Sequence, residues 1–412
     1  MVRIKRAIKT ASRVSVSELL SLLPDSYIED LTTELSADKW VKKLKAGSLF
    51  KLVLFSLLNS ERLSLRVMEN NYQDPMFQAL APALSADEVT WTGIRGRLMK
   101  MDSKFSQKLY ESVYNQALEQ YGEAGLKGYH IKRYDSTMIA TFSHLLEGMK
   151  VGNSSKGKTQ VKLTCEMTDD FLIQMHFHKD QAHLSEETAL KEGILKSTHS
   201  QNDISVFDKG LKSRQTFVEL DKKEILFVGR LTAQPKYTLL HPHWQDDGMS
   251  DSDELEFVQD SAVYLYEDGA QIIENKLRLV QFRLKPKEIP TEKDGEILSF
   301  ITNLWDVPAH TIAQVYRSRW DIEVLFRFMK QEMNLTHFVC NDLNAIQVML
   351  YFTMIAAMLV LIYKKHNNIT SYKLAKIQFF KELLYSIMLD ALESPEGVDW
   401  VKSKLKKFVK RE

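Results

Sequence analysis

The hydrophobic rhythm of this chain changes near Gly128, and that change most constrains its fold. Up to about Gly125 the apolar residues recur with helical spacing, most clearly over Trp40–Asn59. After Gly128 they alternate as in strands, in the order strand, strand, strand, helix, strand, helix, strand. That order indicates an α/β fold in which helices pack on a mixed sheet. The predicted strands are Tyr129–Tyr134, Gln160–Glu166, Phe171–His178, Ile204–Phe207 and Ile225–Val228, and the predicted helices are Ser185–Leu195, with Ser185 as N-cap, and Lys212–Leu220.

The second half of the chain returns to helices after an acidic, β-rich stretch. We interpret that stretch as an insertion between strands of the main fold. The apolar run Met349–Tyr363 is only fifteen residues long, whereas a membrane span needs roughly 20. We therefore expect a buried core helix there and no membrane partner. The other predicted elements are strands at Ala262–Tyr266, Leu277–Leu284 and Ile297–Leu304, and one long helix from Pro308 to about Met333.

Charge is distributed unevenly along the 412 residues. The segment Leu231–Asn275 holds ten acidic residues and one basic residue, so it carries −9 of a formal net charge of +1, and the rest carries +10. Such asymmetry favours contact with a DNA backbone, although solubilising tails remain an alternative for the basic ends. The most basic parts are the two ends, with Arg3, Lys5, Arg6, Lys9 and Arg13 at one and Lys402 to Arg411 at the other.

A second helical stretch, from about Thr92 to Glu119, carries basic residues among apolar ones and predicts one basic helix face. We expect this face to contact DNA. Its residues are Arg95, Arg97, Lys100, Lys104 and Lys108.

Together these patterns divide the chain into five segments. They are a helical N-terminal domain that we expect to bind DNA (1–125), the first part of an α/β core (126–229), the β-rich acidic insertion (230–284), the second part of the core (285–365) and a basic helical C-terminal tail (366–412).

The two cysteines, Cys165 and Cys340, form neither a metal-type pair nor a disulfide framework. A reducing, cytoplasmic compartment is therefore the default expectation. The N-terminus is rich in Arg and Lys but has no apolar segment of the kind that a secretory signal requires.

The predicted long helix places Tyr316, Arg319, Glu323 and Lys330 within an arc of roughly 60° and over about 21 Å of its length. A row of that length suits an extended polyanion, because Arg binds phosphate through a fork and Lys through a point charge. Glu323 among cations makes sense as a metal ligand. A solvated helix face with i,i+4 ion pairs remains the alternative. An adjacent apolar stripe, Ile322, Leu325, Phe326 and Met329, is expected to pack on the sheet.

Two aspartates follow predicted strands, Asp135 after Tyr129–Tyr134 and Asp208 after Ile204–Phe207. Sheet-based enzymes place ligand-binding groups at the carboxyl ends of strands, although aspartate is also a common turn residue. With Glu323 they supply three hard oxygen ligands, enough for two Mg²⁺ ions in phosphoryl transfer.

These residues resemble the signature of insertion-sequence transposases of the IS-four type, which belong to the Asp-Asp-Glu (DDE), RNase H-like group. The spacing Tyr-x2-Arg-x3-Glu-x6-Lys carries the resemblance, which covers about Leu126 to Phe338. Three further motifs are similar to that family: Asp135-Ser-Thr, Phe207-Asp208-Lys209-Gly210, and Asn303-Leu304-Trp305-Asp306-Val307-Pro308.

The resemblance implies an RNase H-like core and a DNA transposase. Asp135, Asp208 and Glu323 would bind Mg²⁺, or Mn²⁺ in its place, as two ions. Tyr316, Arg319 and Lys330 would hold DNA, while Trp320 would hold a flipped base. Trp244 in the insertion is a weaker candidate, with simple packing as the alternative. Family members cut transposon ends through a hairpin intermediate and join the 3′-hydroxyl to target DNA. They work as homodimers on paired ends of double-stranded DNA, here in a bacterial cytosol.

Two other patterns are weaker. His176, His178 and His183 lie close in sequence without a fixed cysteine or glutamate partner, so we favour surface or loop histidines over a zinc site. Residues 152–159 match a phosphate loop in letters, but they lead into a predicted strand and not a helix, which disfavours nucleotide binding. A transposase-derived DNA-binding protein that no longer cuts, or another RNase H-like nuclease, remains an alternative function.

Overall fold

The structure is a computed structural model. It describes residues 13–403 except 82–87, 123–125, 127, 140–148, 151–158, 169, 233–234, 244–251, 253, 268–270, 273–274, 287–293, 336–337, 394–397 and 400–401.

Helices form both ends of the described chain and strands form its middle. The N-terminal helices are α1 (Val16–Leu20), α2 (Asp25–Glu34), α3 (Ala46–Asn59), α4 (Leu65–Tyr72), α5 (Pro75–Leu80), α6 (Trp91–Lys100) and α7 (Ser103–Tyr121). The middle comprises β1 (His130–Ile139), β2 (Met149–Lys150), β3 (Thr159–Thr168), β4 (Phe171–His178), a short 3-10 helix (Gln181–Leu184), α8 (Glu186–Lys196), β5 (Asp203–Phe207), α9 (Arg214–Lys222) and β6 (Leu226–Arg230). The remainder comprises β7 (Tyr237–Pro242), β8 (Leu255–Glu267), β9 (Gln271–Ile272), β10 (Leu277–Leu284), β11 (Ile297–Thr302), α10 (Ala309–Arg317), α11 (Trp320–Glu332), α12 (Leu343–His366) and α13 (Tyr372–Glu393).

One mixed sheet organises the molecule, in the order β4-β3-β1-β5-β6-β11-β10-β8-β7, with β2 on β3 and β9 on β8. Strand β3 is antiparallel to both β4 and β1, whereas β1, β5 and β6 run parallel to one another. This is the α/β, RNase H-like arrangement that the sequence predicts. The strands of the acidic region, β7, β8 and β10, extend the same sheet beyond β11.

Both faces of the sheet are covered. Helices α8 and α9 pack on one face through Leu190 and Phe217, and α10 packs on the opposite face through Ile312. The N-terminal helices share a single core with β3, β4, α11, α12 and α13. Since α11 belongs to that core, the helical ends of the chain help to hold the helix that carries Glu323.

Helix α12 is long and apolar enough to cross a membrane if only length and composition are considered. In the structure, however, 83% of its most apolar 18-residue stretch is buried, and it packs against α3, α6, α7 and α13. The prediction of a buried core helix is confirmed, although the helix extends beyond Met349–Tyr363 at both ends.

Two predicted helices are each interrupted. The stretch Thr92–Glu119 forms α6 and α7, because Met101 leaves helical geometry and Asp102 caps the second helix through the Lys104 N–H. The helix predicted from Pro308 to Met333 forms α10 and α11. A tight turn at Ser318 separates them, in which Arg319 N donates to Tyr316 O and Asp321 N to Ser318 O.

Candidate active site

Strand pairing places two of the three predicted carboxylates side by side. Strands β1 and β5 pair in parallel, up to Arg133 opposite Val206. Continuing this register by two residues brings Asp135 beside Asp208. The prediction that Asp135 ends its strand is wrong, because β1 continues to Ile139 along β3. Asp135 instead lies where β1 runs past the end of β5, and this exposes it at the same sheet edge as Asp208.

Backbone amides orient both aspartates. Ser136 N donates to Asp135 Oδ1 at 2.7 Å, and Gly210 N donates to Asp208 Oδ1 at 2.8 Å. A larger residue at position 210 would displace both neighbouring carboxylates, since an added Cβ would lie 2.8 Å from Asp208 Oδ1 and 2.8 Å from Cδ of Glu186. These close approaches give a physical reason for the Asp-Lys-Gly motif.

The electrostatics of Asp135 show that the three carboxylates are neighbours. Burial, and to a lesser degree the negative charges of Asp208 and Glu323, raise the pKa of Asp135 to about 7. The Ser136 amide and the Arg319 guanidinium oppose that rise.

Glu323 lies in the first turn of α11 and is bound by Arg319, whose Nη2 is 2.6 Å from Glu323 Oε1. This is the i,i+4 ion pair that the alternative interpretation expects. It does not use the whole guanidinium, because Arg319 Nε is buried and has no hydrogen-bond partner among the described residues.

Arg133 connects the strand of Asp135 to the helix of Glu323. Its Nε donates to Ser318 O at 2.8 Å, and its Nη2 lies 3.4 Å from Asp321 Oδ2. Arg133 is 4% exposed. It shares a strand face with Asp135, two residues later, because side chains alternate along a strand.

The other signature residues lie near the same edge. Tyr316, at the end of α10, packs on Phe300 with 4.9 Å between ring centroids, and Arg319 Cζ lies 5.9 Å from its ring centroid. Trp320 is 51% exposed. Lys330 and Asp135 both lie near Cys165. Burial chiefly raises the pKa of the Cys165 thiol, the charge of Asp135 raises it further, and the charge of Lys330 lowers it.

Sequence reasoning missed two neighbours of the site, Arg133 and Glu186. Glu186 lies in the first turn of α8, and burial followed by the charge of Asp208 raises its pKa. The only sequence signal for Glu186 is its place directly after the N-cap Ser185. For Arg133, the signal is its spacing of two residues from Asp135 on one strand.

The prediction of one basic face over Arg95–Lys108 is wrong. Arg97 is 8% exposed and binds the Asp38 carboxylate at 2.8 Å and the Leu44 carbonyl at 3.2 Å. Lys108 pairs with Glu34 at 2.5 Å. The break between α6 and α7 also separates the two halves of the face. Lys100 and Lys104 remain exposed.

Two predictions fall on residues outside the described part of the chain, namely the role of Trp244 and the phosphate-loop pattern at 152–158. The expectation of surface or loop histidines is wrong for His178, which is 2% exposed. The glutamate that the sequence pattern lacked, Glu192, is supplied by α8.

The residues at the sheet edge fit divalent metal ions of the hard type. Backbone amides orient Asp135 and Asp208 through Oδ1, and the charge of Glu323 acts on Asp135. Burial chiefly raises the pKa of Asp135, and a bound cation would favour its ionised form.

Comparisons with known proteins identify a family. Residues 129–359 match the family described as "Transposase DDE domain". The chain is 29% identical over 165 residues to a putative transposase, y4zB, of Sinorhizobium fredii (strain NBRC 101917 / NGR234). The aligned region covers 40% of this chain and 44% of that protein. It is 32% identical over 91 residues to a probable transposase for insertion sequence element IS5377 of Geobacillus stearothermophilus, covering 22% of this chain and 24% of that protein. The chain thus spans less than half the length of these curated relatives.

Among solved structures, the chain resembles piggyBac transposase in a synaptic complex with hairpin DNA, with a TM-score of 0.46 and 10% identity, covering 84% of this chain and 72% of that one. Because the family match covers more than half of the 412 residues, the chain belongs to the DDE transposases of insertion sequences.

Proposed function

We propose that this protein is a DNA transposase that cuts the ends of an insertion element and joins them to target DNA by metal-dependent phosphoryl transfer. The observation that carries the proposal is the convergence of Asp135, Asp208 and Glu323 at one sheet edge, beside Arg319. A DNA-binding protein that no longer cuts has no need for three carboxylates that repel each other. Such strain persists where function requires it.

The carboxylates would hold two Mg²⁺ ions, with Mn²⁺ as a substitute. When bound, these ions acidify the attacking hydroxyl and stabilise charge on the phosphate. The protein's own contribution is positioning. The Ser136 and Gly210 amides set the two aspartates, and Arg133 sets the turn that presents Glu323. No side chain needs to act as general base.

Arg319, Tyr316 and Lys330 would hold the DNA backbone. Arg319 pairs with Glu323 through Nη2, and its planar guanidinium suits a phosphate group. The exposed ring of Trp320 is adjacent and would stack on an unpaired base in a hairpin intermediate. We place the reaction on paired double-stranded ends, held by a homodimer in the bacterial cytosol.

The test combines metal binding with DNA cleavage. Mn²⁺ binding is followed by electron paramagnetic resonance, and cleavage is followed on supercoiled plasmid carrying the ends of the parent element. We expect Asp135→Asn, Asp208→Asn and Glu323→Gln each to weaken Mn²⁺ binding and to abolish cleavage. Wild-type binding of Mn²⁺ without any cleavage or joining would favour the DNA-binding alternative.

Glu256→Gln is the matched control, because Glu256 is an exposed acid on β8 that pairs with Arg283 at 3.1 Å. It should leave Mn²⁺ binding and cleavage unchanged. If it lowered both as strongly as Glu323→Gln does, the assignment of the site would fail.

A further inference from the structure

A second cluster of ligand-type side chains lies outside the carboxylate site. It comprises His178 at the end of β4, His183 in the short 3-10 helix, and Glu192 on α8. One donor atom from each lies within 4.8 Å of the others. The side chains are 1%, 12% and 30% exposed, respectively, so the cluster is largely shielded from water.

Contacts at both ring nitrogens hold His178 in place. Its Nε2 lies 3.0 Å from Thr164 Oγ1, which is also within hydrogen-bond distance of Ser136 Oγ and Ala189 O. Its Nδ1 lies 4.0 Å from Glu192 Oε1. Metal-binding histidines are commonly oriented by a bond between their other ring nitrogen and an oxygen.

Burial, together with the neighbouring His183, lowers the pKa of His178 to about 4. Hydrogen bonds from Lys196 and His183 lower the pKa of Glu192 to about 2.

Hydrogen bonding leaves part of the cluster unsatisfied. His183 Nε2 lies 2.5 Å from Glu192 Oε2, and the two imidazole rings are 4.5 Å apart between centroids. Within the described part of the chain, His183 Nδ1 and the nearby His176 Nε2 are buried without any hydrogen-bond partner. An unpaired buried nitrogen is costly, so hydrogen bonding does not fully satisfy the His183 ring in this cluster.

We propose that His178, His183 and Glu192 bind one divalent transition-metal ion, with Zn²⁺ as the best match to two imidazoles and one carboxylate. Such a ligand set disfavours Mg²⁺, which prefers oxygen ligands only. Three protein ligands leave one position of a tetrahedral ion for water. The ion fastens the segment between β4 and α8, and so supports the helix that places Glu186 beside Asp208.

The test measures Zn²⁺ bound to the full chain by equilibrium dialysis, in excess Mg²⁺ and without DNA. We expect one Zn²⁺ per chain that survives in Asp208→Asn and is lost in His183→Gln and Glu192→Gln. His241→Gln is the matched control, since His241 is an exposed histidine on β7. Unchanged Zn²⁺ in both His183→Gln and Glu192→Gln would overturn the proposal.

Two further readouts distinguish loss of this Zn²⁺ site from misfolding and from Zn²⁺ binding at the carboxylate site. Lys196 pairs with Glu192 and competes with the ion, so Lys196→Gln should tighten Zn²⁺ binding several-fold while keeping the circular dichroism of the parent. Co²⁺ in place of Zn²⁺ should give visible absorption typical of tetrahedral coordination, lost in His183→Gln. Loss of Zn²⁺ in Asp208→Asn alone would place the ion in the carboxylate site and contradict the proposal. None of these readouts depends on transposition, so they stand or fall separately from the proposed function.

Discussion

Arg133 donates a hydrogen bond from Nε to the backbone carbonyl of Ser318, at 2.8 Å. This bond joins the strand that carries Asp135 to the turn before the helix that carries Glu323. Because Arg133 is buried and also contacts Asp321, the two halves of the site are held in register by one side chain.

Replacing Arg133 by Gln should lower cleavage of plasmid DNA at least 10-fold, because Glu323 loses its fixed distance from Asp135. Loss of buried hydrogen bonds to a charged group should also cost about 2–3 kcal/mol of stability. Cleavage rate and urea unfolding measure the two effects. Arg283→Gln, at an exposed ion pair on β10, is the control and should change neither. Full cleavage by Arg133→Gln would show that the turn is held by other contacts.

Replacing Asp135 by Asn should stabilise the metal-free protein at pH 8. The pKa of Asp135 is raised to about 7 in the folded chain, against about 4 in an unfolded one. The folded state therefore binds more protons between these values, and its stability falls as pH rises through that window. The expected gain is on the order of 1–3 kcal/mol at pH 8 and near zero at pH 4.

Thermal unfolding at both pH values, with a chelator present, measures this difference. Asp390→Asn, at an exposed position on α13, is the control, and its unfolding temperature should match that of the wild type at both pH values. A destabilised Asp135→Asn variant at pH 8 would show that the carboxylate is held by favourable contacts and not by burial against like charge.

Replacing Arg278 by Gln should unfold the sheet beyond β11. Arg278 and Asp260 are both fully buried and bind each other through two bonds, of 2.9 and 2.6 Å. Arg278 Nη1 also donates to Leu304 O and Val307 O at 2.7 Å, which ties β10 to the segment leading into α10. Breaking a buried pair costs about 3–5 kcal/mol.

Arg283→Gln is a closely matched comparison for that variant, because it removes an exposed pair from the same strand. It should cost no more than about 0.5 kcal/mol. Equal losses in the two variants, measured by urea unfolding, would contradict the assigned role of the buried pair.

Replacing Trp320 by Ala should change DNA handling without changing stability, because half of the ring is exposed and it lies near Arg327, at 5.9 Å. Loss of a stacked base costs about 1–3 kcal/mol of binding. Hairpin opening, followed with 2-aminopurine at the end of the element, should slow accordingly. Trp40→Ala removes a ring that is 90% exposed in the helical region, and should have no such effect. Unaltered hairpin opening in Trp320→Ala would remove Trp320 from the site.

Replacing Lys104 by Glu should weaken DNA binding and lower its dependence on salt, if the exposed residues of α6 and α7 contact the DNA backbone. Loss of one phosphate contact reduces the salt slope by about 1. Arg97 cannot test this idea, since Arg97→Glu would remove the buried bond to Asp38 and unfold the helices. Intact end binding by Lys104→Glu and Lys100→Glu together would refute contact through this surface.

The sequence by itself determined the elements that depend on local period and on caps. Strands Phe171–His178 and Leu277–Leu284 have the bounds that alternation predicts, and Ser185 caps its helix through the Thr188 amide. The apolar stripe of α11 is buried as expected. These features are local because hydrophobic spacing and end groups act within a few residues.

The tertiary structure alone decided how distant residues meet. Asp135 lies within a strand and not at its end, because β3 extends pairing where β5 stops. Arg133, Glu186 and Glu192 acquire their partners through contacts across the sheet edge and between α8 and the strands. Burial at these places depends on chain segments that are far apart in sequence, so it could not be predicted from residue spacing. The shifted pKa values of Asp135 and His178 follow from that burial.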